Sequence, residues 1–236
     1  MIEDIIAIDG PAGSGKSSVA REISKEVGYK YLDSGAYYRG VTLFFIQKFQ
    51  KENQCDTFSD WILKLDVRKY LKNVNIDCLL SESGENSVIL NGVDVSKEIR
   101  SPDLTKEIKY ISPVREIREF VNKKIRELAK NHLLILDGRD IGSEVFPESR
   151  YKFFLTASAE IRAERRYKEL LERGFQADLE NLKSEIIQRD KTDSERKIAP
   201  LIQAKDAFLI DTSGLSKDVV IRTILSELRN KGLCPK

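Results

Sequence analysis

The sequence predicts an α/β fold built on a parallel β-sheet. Short apolar runs at residues 5–8, 133–136, 151–155 and 207–210 have the length and composition of core strands, with residues 29–32 as a fifth. Charged stretches of helical period separate them, and alternating strands and helices indicate a parallel sheet covered by helices. Polar or glycine-bearing segments follow most of these runs, and such sheets bind their ligands at the carboxyl ends of the strands.

The first run, Ile5-Ile6-Ala7-Ile8, is a buried strand by its β-branched content. It leads into Gly10-Pro11-Ala12-Gly13-Ser14-Gly15-Lys16-Ser17, which satisfies G-x-x-x-x-G-K-[ST] at every fixed position. Val19, Ile23 and Val27 then recur every fourth residue, as on one face of a helix. This strand, glycine loop and helix form the context a phosphate-binding loop requires. Its backbone N–H groups turn inward around a phosphate chain, and the helix N-terminus adds positive potential. Lys16 reaches the outer phosphates and the Ser17 hydroxyl offers a ligand to Mg²⁺. The competing reading is a flexible Gly/Ser turn followed by a surface lysine.

Asp33-Ser34-Gly35 follows the second run and opens an amphipathic helix through Phe49. Asp33 or Ser34 suits a helix cap, and Arg39 offers a planar fork suited to phosphate. Residues 75–95 break the α/β rhythm. Two strand-like stretches, 74–79 and 87–90, flank the polar turn Ser81-Glu82-Ser83-Gly84-Glu85-Asn86, and a second turn follows at Asn91-Gly92. This predicts an insertion with a small antiparallel sheet. Residues 103–131 read as two helices with a break near Pro113, and 159–173 and 178–189 as a helix pair joined around Gly174-Phe175.

The run at 133–136 ends in Asp137-Gly138-Arg139-Asp140. A hydrophobic strand ending in Asp is the usual place for a second magnesium-organising carboxylate beside a phosphate loop, and Arg139 and Asp140 add opposite charges on the same turn. The plainer alternative is a salt-bridged surface turn. Arg162, Arg165 and Arg166 share a helix face at i, i+3, i+4, while Arg189, Asp193 and Arg196 fall at i, i+4, i+7. Solvated arginines are common, but the chemistry asks for more. Each unit pair of phosphate charges brought within 4–5 Å costs about 4 kcal/mol at an effective dielectric near 20. One lysine and one Mg²⁺ do not offset several such pairs, so a phosphoryl-transfer enzyme with a charged acceptor needs further arginines.

Bulk properties exclude other classes. With 40 basic and 38 acidic residues among 236, the net charge is only +2, and no overall field recruits nucleic acid. Cys55, Cys78 and Cys234 form neither a metal-spaced set nor a disulfide framework, which suggests a reducing compartment. The chain begins directly with its first strand and its apolar runs are far too short to span a bilayer, so the expected location is the cytoplasm. His132, the sole histidine, reads as a boundary residue. An N-K-x-D run, the base-recognition signature of GTPases, is absent.

Nearly the whole chain resembles the bacterial cytidylate (CMP) kinases. The resemblance rests on residues 8–16, 32–39 and 93–96 with Ile99-Arg100, on Asp137-Gly138-Arg139-Asp140-Ile141-Gly142, and on residues 189–196 with Pro200-Leu201. It implies a P-loop NTPase-type parallel sheet flanked by helices, with an inserted acceptor-binding segment and a helical LID. Within a single domain spanning 1–236, residues 1–35, 132–158 and 200–236 would form the CORE, 36–131 the acceptor region and 159–199 the LID with its flanking helices.

The resemblance also assigns roles. Gly10, Pro11, Ala12, Gly13, Ser14, Gly15, Lys16, Ser17 and Ser18 would bind ATP, and Ser17 with Asp137 would hold Mg²⁺. Ser34 and Arg39 would hold the acceptor nucleotide, Arg118 and Asp140 its cytosine ring, Arg139 its phosphate, and Arg189 with Asp193 its ribose hydroxyls. Lys16, Arg139, Arg165, Arg166 and Arg196 would act on the transferring phosphoryl group. Lys109 stands where many members carry a base-contacting serine, and Ile125 where glutamine is frequent. The implied reaction is γ-phosphoryl transfer from ATP to CMP or dCMP by a monomer that binds neither nucleic acid nor membrane. The alternatives are a P-loop kinase with a UMP or AMP acceptor, and a nucleotide-sensing regulatory module.

Overall fold

A computed structural model describes residues 2–52, 55–81, 83–172 and 174–233. Glu82 of the polar turn, the helix end at Arg173 and Cys234 lie outside the described residues. The chain forms two compact units, Met1–Tyr29 with Leu133–Lys236, and Lys30–His132.

The chain opens with β1 (Ile6–Asp9), α1 (Lys16–Val27), β2 (Lys30–Asp33) and α2 (Ser34–Glu52), followed by α3 (Phe58–Lys64) and α4 (Val67–Leu71). Next come β3 (Ile76–Leu79), β4 (Ser87–Leu90), β5 (Val93–Asp94), α5 (Pro102–Ile111) and α6 (Arg115–Ala129). The chain then runs through β6 (Leu134–Gly138), β7 (Tyr151–Thr156), α7 (Ala159–Glu172), α8 (Leu179–Glu195), β8 (Phe208–Asp211) and α9 (Lys217–Asn230). In the first unit the strands of the larger sheet run in the order β6-β1-β7-β8.

In the first unit, β1 pairs in parallel with β6 and β7, and β7 with β8. Every residue of β1 and β6 is buried, as expected of central strands covered on both faces. The register sets Asp9 opposite Gly138 and Phe154, and Thr156 opposite Asp211. The segments leaving β1, β6, β7 and β8 therefore start from the same edge. Helix α1 buries Val19, Ile23 and Val27, the stripe read from the sequence, together with Ala20, and packs against β6 and α9. Helices α7 and α8 pack on each other. Helix α8 is capped by the Asp178 carboxylate, which accepts a 2.7 Å bond from Asn181 N–H. It runs on past residue 189 to Glu195, through a stretch without Gly or Pro to stop it.

Between β6 and β7 the chain makes a wide helical turn, Ile141–Val145, that the sequence reading did not anticipate. Its i+5 bonds run from Val145 N–H to Asp140 O (3.1 Å) and from Phe146 N–H to Ile141 O (2.7 Å). Such π-type turns are frequent at functional sites.

In the second unit the insertion is the small antiparallel sheet predicted, in the order β3-β4-β5. Cys78 faces Val88, and Asn91-Gly92 turns the chain so that Leu90 faces Val93. Helix α2 packs against α5, β3 and β4 and so buries much of its circumference. Helices α3 and α4 were not read from the sequence. They carry Trp61 and Tyr70 into an aromatic cluster with Phe45 and Phe49 of α2, with ring centroids 5.8–6.2 Å apart. The predicted break near Pro113 separates α5 from α6.

Candidate active site

The phosphate loop links β1 to α1 within the first unit. Gly10, Gly13 and Gly15 have φ values of 143°, 78° and 91°. Gly10 has no room for a side chain: a Cβ there would sit 1.9 Å from the Leu155 carbonyl oxygen of the neighbouring strand. Glycine thus lets the loop leave the sheet against β7.

Lys16 is buried and folds back over its own loop. Its Nζ donates to Pro11 O at 2.6 Å and lies 3.4 Å from Ser14 Oγ. Burial, reinforced by the positive charge of Arg139, pushes its pKa down to about 7, against the opposing pull of Asp137 and Asp9. Ser17 Oγ donates to Asp137 Oδ2 at 2.7 Å, joining the first turn of α1 to the end of β6. A hydroxyl and a carboxylate side by side are hard oxygen donors. They fit Mg²⁺, which takes one or two protein oxygens and fills its octahedron with phosphate and water. Ser18 Oγ donates instead to Gly15 O at 2.9 Å, which closes the first turn.

Beyond β6, the acidic and basic groups form a linked cluster. Arg139 Nε donates to Asp193 Oδ2 at 3.1 Å and its Nη1 to Gly138 O at 3.2 Å. Arg196 Nη2 lies 3.6 Å from Asp140 Oδ1, its Nη1 lies 3.9 Å from Asp193 Oδ1, and its Nε donates to Ala199 O. Arg139, Asp140, Asp193 and Arg196, far apart in sequence, are therefore one network. Arg189 adds positive potential at Lys16. Arg165 Nη1 donates to Thr212 Oγ1 at 2.9 Å and Nη2 to Thr212 O at 2.7 Å. Arg166 is not brought to this network; it pairs with Glu169 of its own helix at 2.8 Å.

The other residues singled out in the sequence lie in the second unit. Ser34 is buried at the start of α2, and Arg39 Nη2 pairs with Asp33 Oδ2 at 3.2 Å. Arg118 is buried on α6, donates to Ser112 O at 3.1 Å and lies over the Tyr38 ring at 5.5 Å. Lys109 Nζ lies 4.9 Å from the centre of the Tyr110 ring, and Ile125 is part of the core.

Three residues of the site gained their importance only from the structure. Arg162, which its spacing alone does not tell from a solvated arginine, is buried. It donates to Ala157 O (2.9 Å) and Ala12 O (3.1 Å), and its Nη2 meets Asp190 Oδ2 at 2.6 Å. Thr212, buried at the exit of β8, has its hydroxyl 3.2 Å from Ser14 O of the phosphate loop. Asp9, which ends β1, accepts the N–H groups of Ile141 (2.8 Å) and Gly142 (2.7 Å). Desolvation pushes the Asp9 pKa up to about 7 despite those two bonds. The available signal was a carboxylate closing an otherwise apolar strand.

No helix among the described residues is long and apolar enough to cross a membrane.

Comparison with known proteins agrees with this architecture. The cytidylate kinase family model matches residues 6–230. A cytidylate kinase of Bacillus cereus (strain B4264) is 45% identical over 224 residues, covering 94% of this chain and 94% of its own. A cytidylate kinase of Desulforamulus reducens is 41% identical over 221 residues, covering 94% and 95%. Among solved structures, an uncharacterized protein from Eubacterium ventriosum matches with a TM-score of 0.51 at 12% identity over 97% of this chain and 99% of its own, a likeness of fold. The chain belongs to the cytidylate kinase family, a family of nucleoside-monophosphate kinases.

Proposed function

We propose that this chain transfers the γ-phosphoryl group of ATP to a phosphate oxygen of CMP or dCMP, giving CDP or dCDP and ADP. The observation that carries this reading is a phosphate loop in the same unit as a cluster of acceptor-type groups. The Ser17–Asp137 pair stands 2.7 Å apart, and Arg139, Asp140, Asp193 and Arg196 are linked through contacts of 3.1–3.9 Å. Relatives named cytidylate kinase over almost the full chain support the choice of acceptor.

In this reading an oxygen of the acceptor phosphate attacks the γ-phosphorus, and the bond from that phosphorus to the β,γ-bridging oxygen breaks. The electron pair leaves with ADP. The acceptor is already an anion, so no general base is required, and a chain whose one histidine is His132 suits that chemistry. Catalysis is positioning plus charge neutralisation. Residues 10–18 hold the donor. Lys16 meets its outer phosphates, and Ser17 and Asp137 hold Mg²⁺. That ion supplies, when bound, Lewis-acid stabilisation of the phosphate charge.

Arg139 binds the acceptor phosphate. Arg165, Arg166 and Arg196 neutralise the transferring group. Arg166 then has to leave Glu169, an exposed i, i+3 partner of small energetic weight. Ser34 and Arg39 hold the acceptor nucleotide, and Arg118 with Asp140 reads its base. Arg189 and Asp193 hold the ribose. Residues 159–199 act as a LID over a CORE of 1–35, 132–158 and 200–236, with 36–131 as the acceptor region, and closure excludes water from the donor.

We further propose a cytoplasmic monomer; the free thiols of Cys55 and Cys78 suit a reducing compartment. The test is ADP release with AMP, CMP, dCMP, UMP, dTMP, shikimate and dephospho-coenzyme A offered in parallel. CMP and dCMP are expected to give the highest kcat/KM; preference for a purine nucleotide or a non-nucleotide acceptor overturns the assignment.

A further inference from the structure

Asp9 belongs to neither the donor contacts nor the acceptor contacts assigned above, yet it touches structures that serve both. It is the last residue of β1 and immediately precedes Gly10 of the phosphate loop. Its side chain is buried and points across to the segment after β6. There the wide turn Ile141–Val145 begins, directly behind Arg139 and Asp140. The first N–H groups of any helical turn lack partners within it. Here Asp9 Oδ1 accepts from Ile141 N–H at 2.8 Å and Oδ2 from Gly142 N–H at 2.7 Å. One carboxylate from a neighbouring strand thus caps the turn with two short bonds.

The cap has little freedom to move. A Cβ at Gly142 would lie 3.4 Å from Asp9 Oδ2 and 3.1 Å from Lys152 Cγ. The turn is therefore held closely between the Asp9 carboxylate and the stem of Lys152. Lys152 is itself fixed, since its Nζ donates to Pro147 O at 2.6 Å and meets both oxygens of Asp206 at 2.8 and 3.0 Å. Holding Ile141 and Gly142 holds the backbone from which Asp140 projects toward Arg196 and from which Arg139 projects toward Asp193.

We propose that Asp9 is a positioning residue for the acceptor nucleotide: its carboxylate caps the Ile141–Val145 turn and thereby fixes the direction of Arg139 and Asp140 relative to the phosphate loop that starts at the next residue. The inference rests on the acceptor reading of Arg139 and Asp140 given above. It predicts that damage at Asp9 is felt at the acceptor, although Asp9 adjoins the donor loop in sequence.

The test is steady-state kinetics of the full-length Asp9→Asn variant. Asparagine has the shape of aspartate but a single acceptor oxygen, so its NH₂ must face one of the two backbone N–H groups. Losing one buried charge-assisted bond is expected to raise the KM for the acceptor about tenfold or more. The KM for ATP is expected to stay within about twofold, since neither Asp9 bond goes to the phosphate loop. Equal rises for both substrates, or no change in either, overturns the proposal, because a residue that merely stabilises the fold does not discriminate between them.

If Asp9→Asn does not fold, Gly142→Ala is read by the same criterion, since its new Cβ, 3.1 Å from Lys152 Cγ and 3.4 Å from Asp9 Oδ2, crowds the same capped turn without altering any charge. The acceptor panel of the unmodified protein tests the underlying reading separately. Should the panel select another nucleotide, the proposal is judged on the KM for that nucleotide.

Discussion

Ser17 Oγ donates to Asp137 Oδ2 across 2.7 Å, although 120 residues separate the two in sequence. The contact exists because β1 and β6 are parallel neighbours, so the helix that follows the first and the carboxylate that ends the second meet at one edge. A cation held there is held by both.

Asp137→Ala is accordingly expected to lower kcat about 100-fold, the scale on which single electrostatic contributors to a transition state act. It is also expected to raise the Mg²⁺ concentration needed for half-maximal rate. Initial rates across a magnesium titration check this. A variant with reduced kcat but an unaltered magnesium requirement rules out the metal role of Asp137.

Gly10→Ala is expected to destabilise the protein. Its φ of 143° is open essentially to glycine alone, and the new Cβ would lie 1.9 Å from a main-chain oxygen of β7 that cannot turn aside. Backbone strain of this kind costs about 1–3 kcal/mol, which for a chain of this size lowers the melting temperature by roughly 3–10 °C. Differential scanning calorimetry measures it, and an unchanged melting temperature contradicts the close approach.

The legible parts of this fold were those with local causes. The apolar runs became strands, the stripe of α1 at every fourth residue faced its core, and the helical stretch read from residue 178 became α8. The phosphate loop was legible because its glycines answer a requirement of the backbone. Other features depend on who lies across the sheet. The turn at Ile141–Val145 closes through its own wide backbone bonds and is capped by Asp9, a residue of another strand. Helices α3 and α4 are short, and their place follows from packing the rings of Trp61 and Tyr70 against α2. Arg162, Arg165 and Arg166 look equivalent as spacing on one helix, yet they bind the phosphate loop, Thr212 and Glu169 respectively. Spacing assigns a face, and tertiary neighbours decide what each arginine does there.

The two shifted groups beside the loop make stability depend on pH in opposite senses. Burial takes Lys16 from 10.5 in the unfolded chain to about 7 when folded. Between about pH 7 and 10 the unfolded state then binds the proton that the folded state has lost, so the Lys16 contribution rises with pH across that window. Burial takes Asp9 from 3.8 to about 7, so between about pH 4 and 7 the folded state binds the extra proton and the Asp9 contribution falls as pH rises. Lys16→Met is expected to abolish phosphoryl transfer while removing the rise above pH 7. Urea denaturation midpoints at pH 6, 8 and 10 check it; a variant whose midpoints keep the slope of the parent above pH 7 shows that Lys16 is not its source.

Arg162 joins three parts of the first unit through one buried guanidinium: the phosphate loop at Ala12, the exit of β7 at Ala157 and helix α8 at Asp190. A lysine carries the same charge but lacks the planar fork that serves three directions at once. Arg162→Lys is therefore expected to cost about 3 kcal/mol, at the low end for breaking a buried pair because Asp190 keeps some access to water. The bond to Ala12 predicts a raised KM for ATP as well, since that carbonyl belongs to the donor loop. Asp190→Asn alone is expected to cost less and to leave that KM nearly unchanged. A double-mutant cycle on these two positions, read by urea unfolding, should give a coupling of about 1–3 kcal/mol. Strict additivity would mean that the 2.6 Å contact between Arg162 and Asp190 contributes nothing to holding α8 against the donor loop.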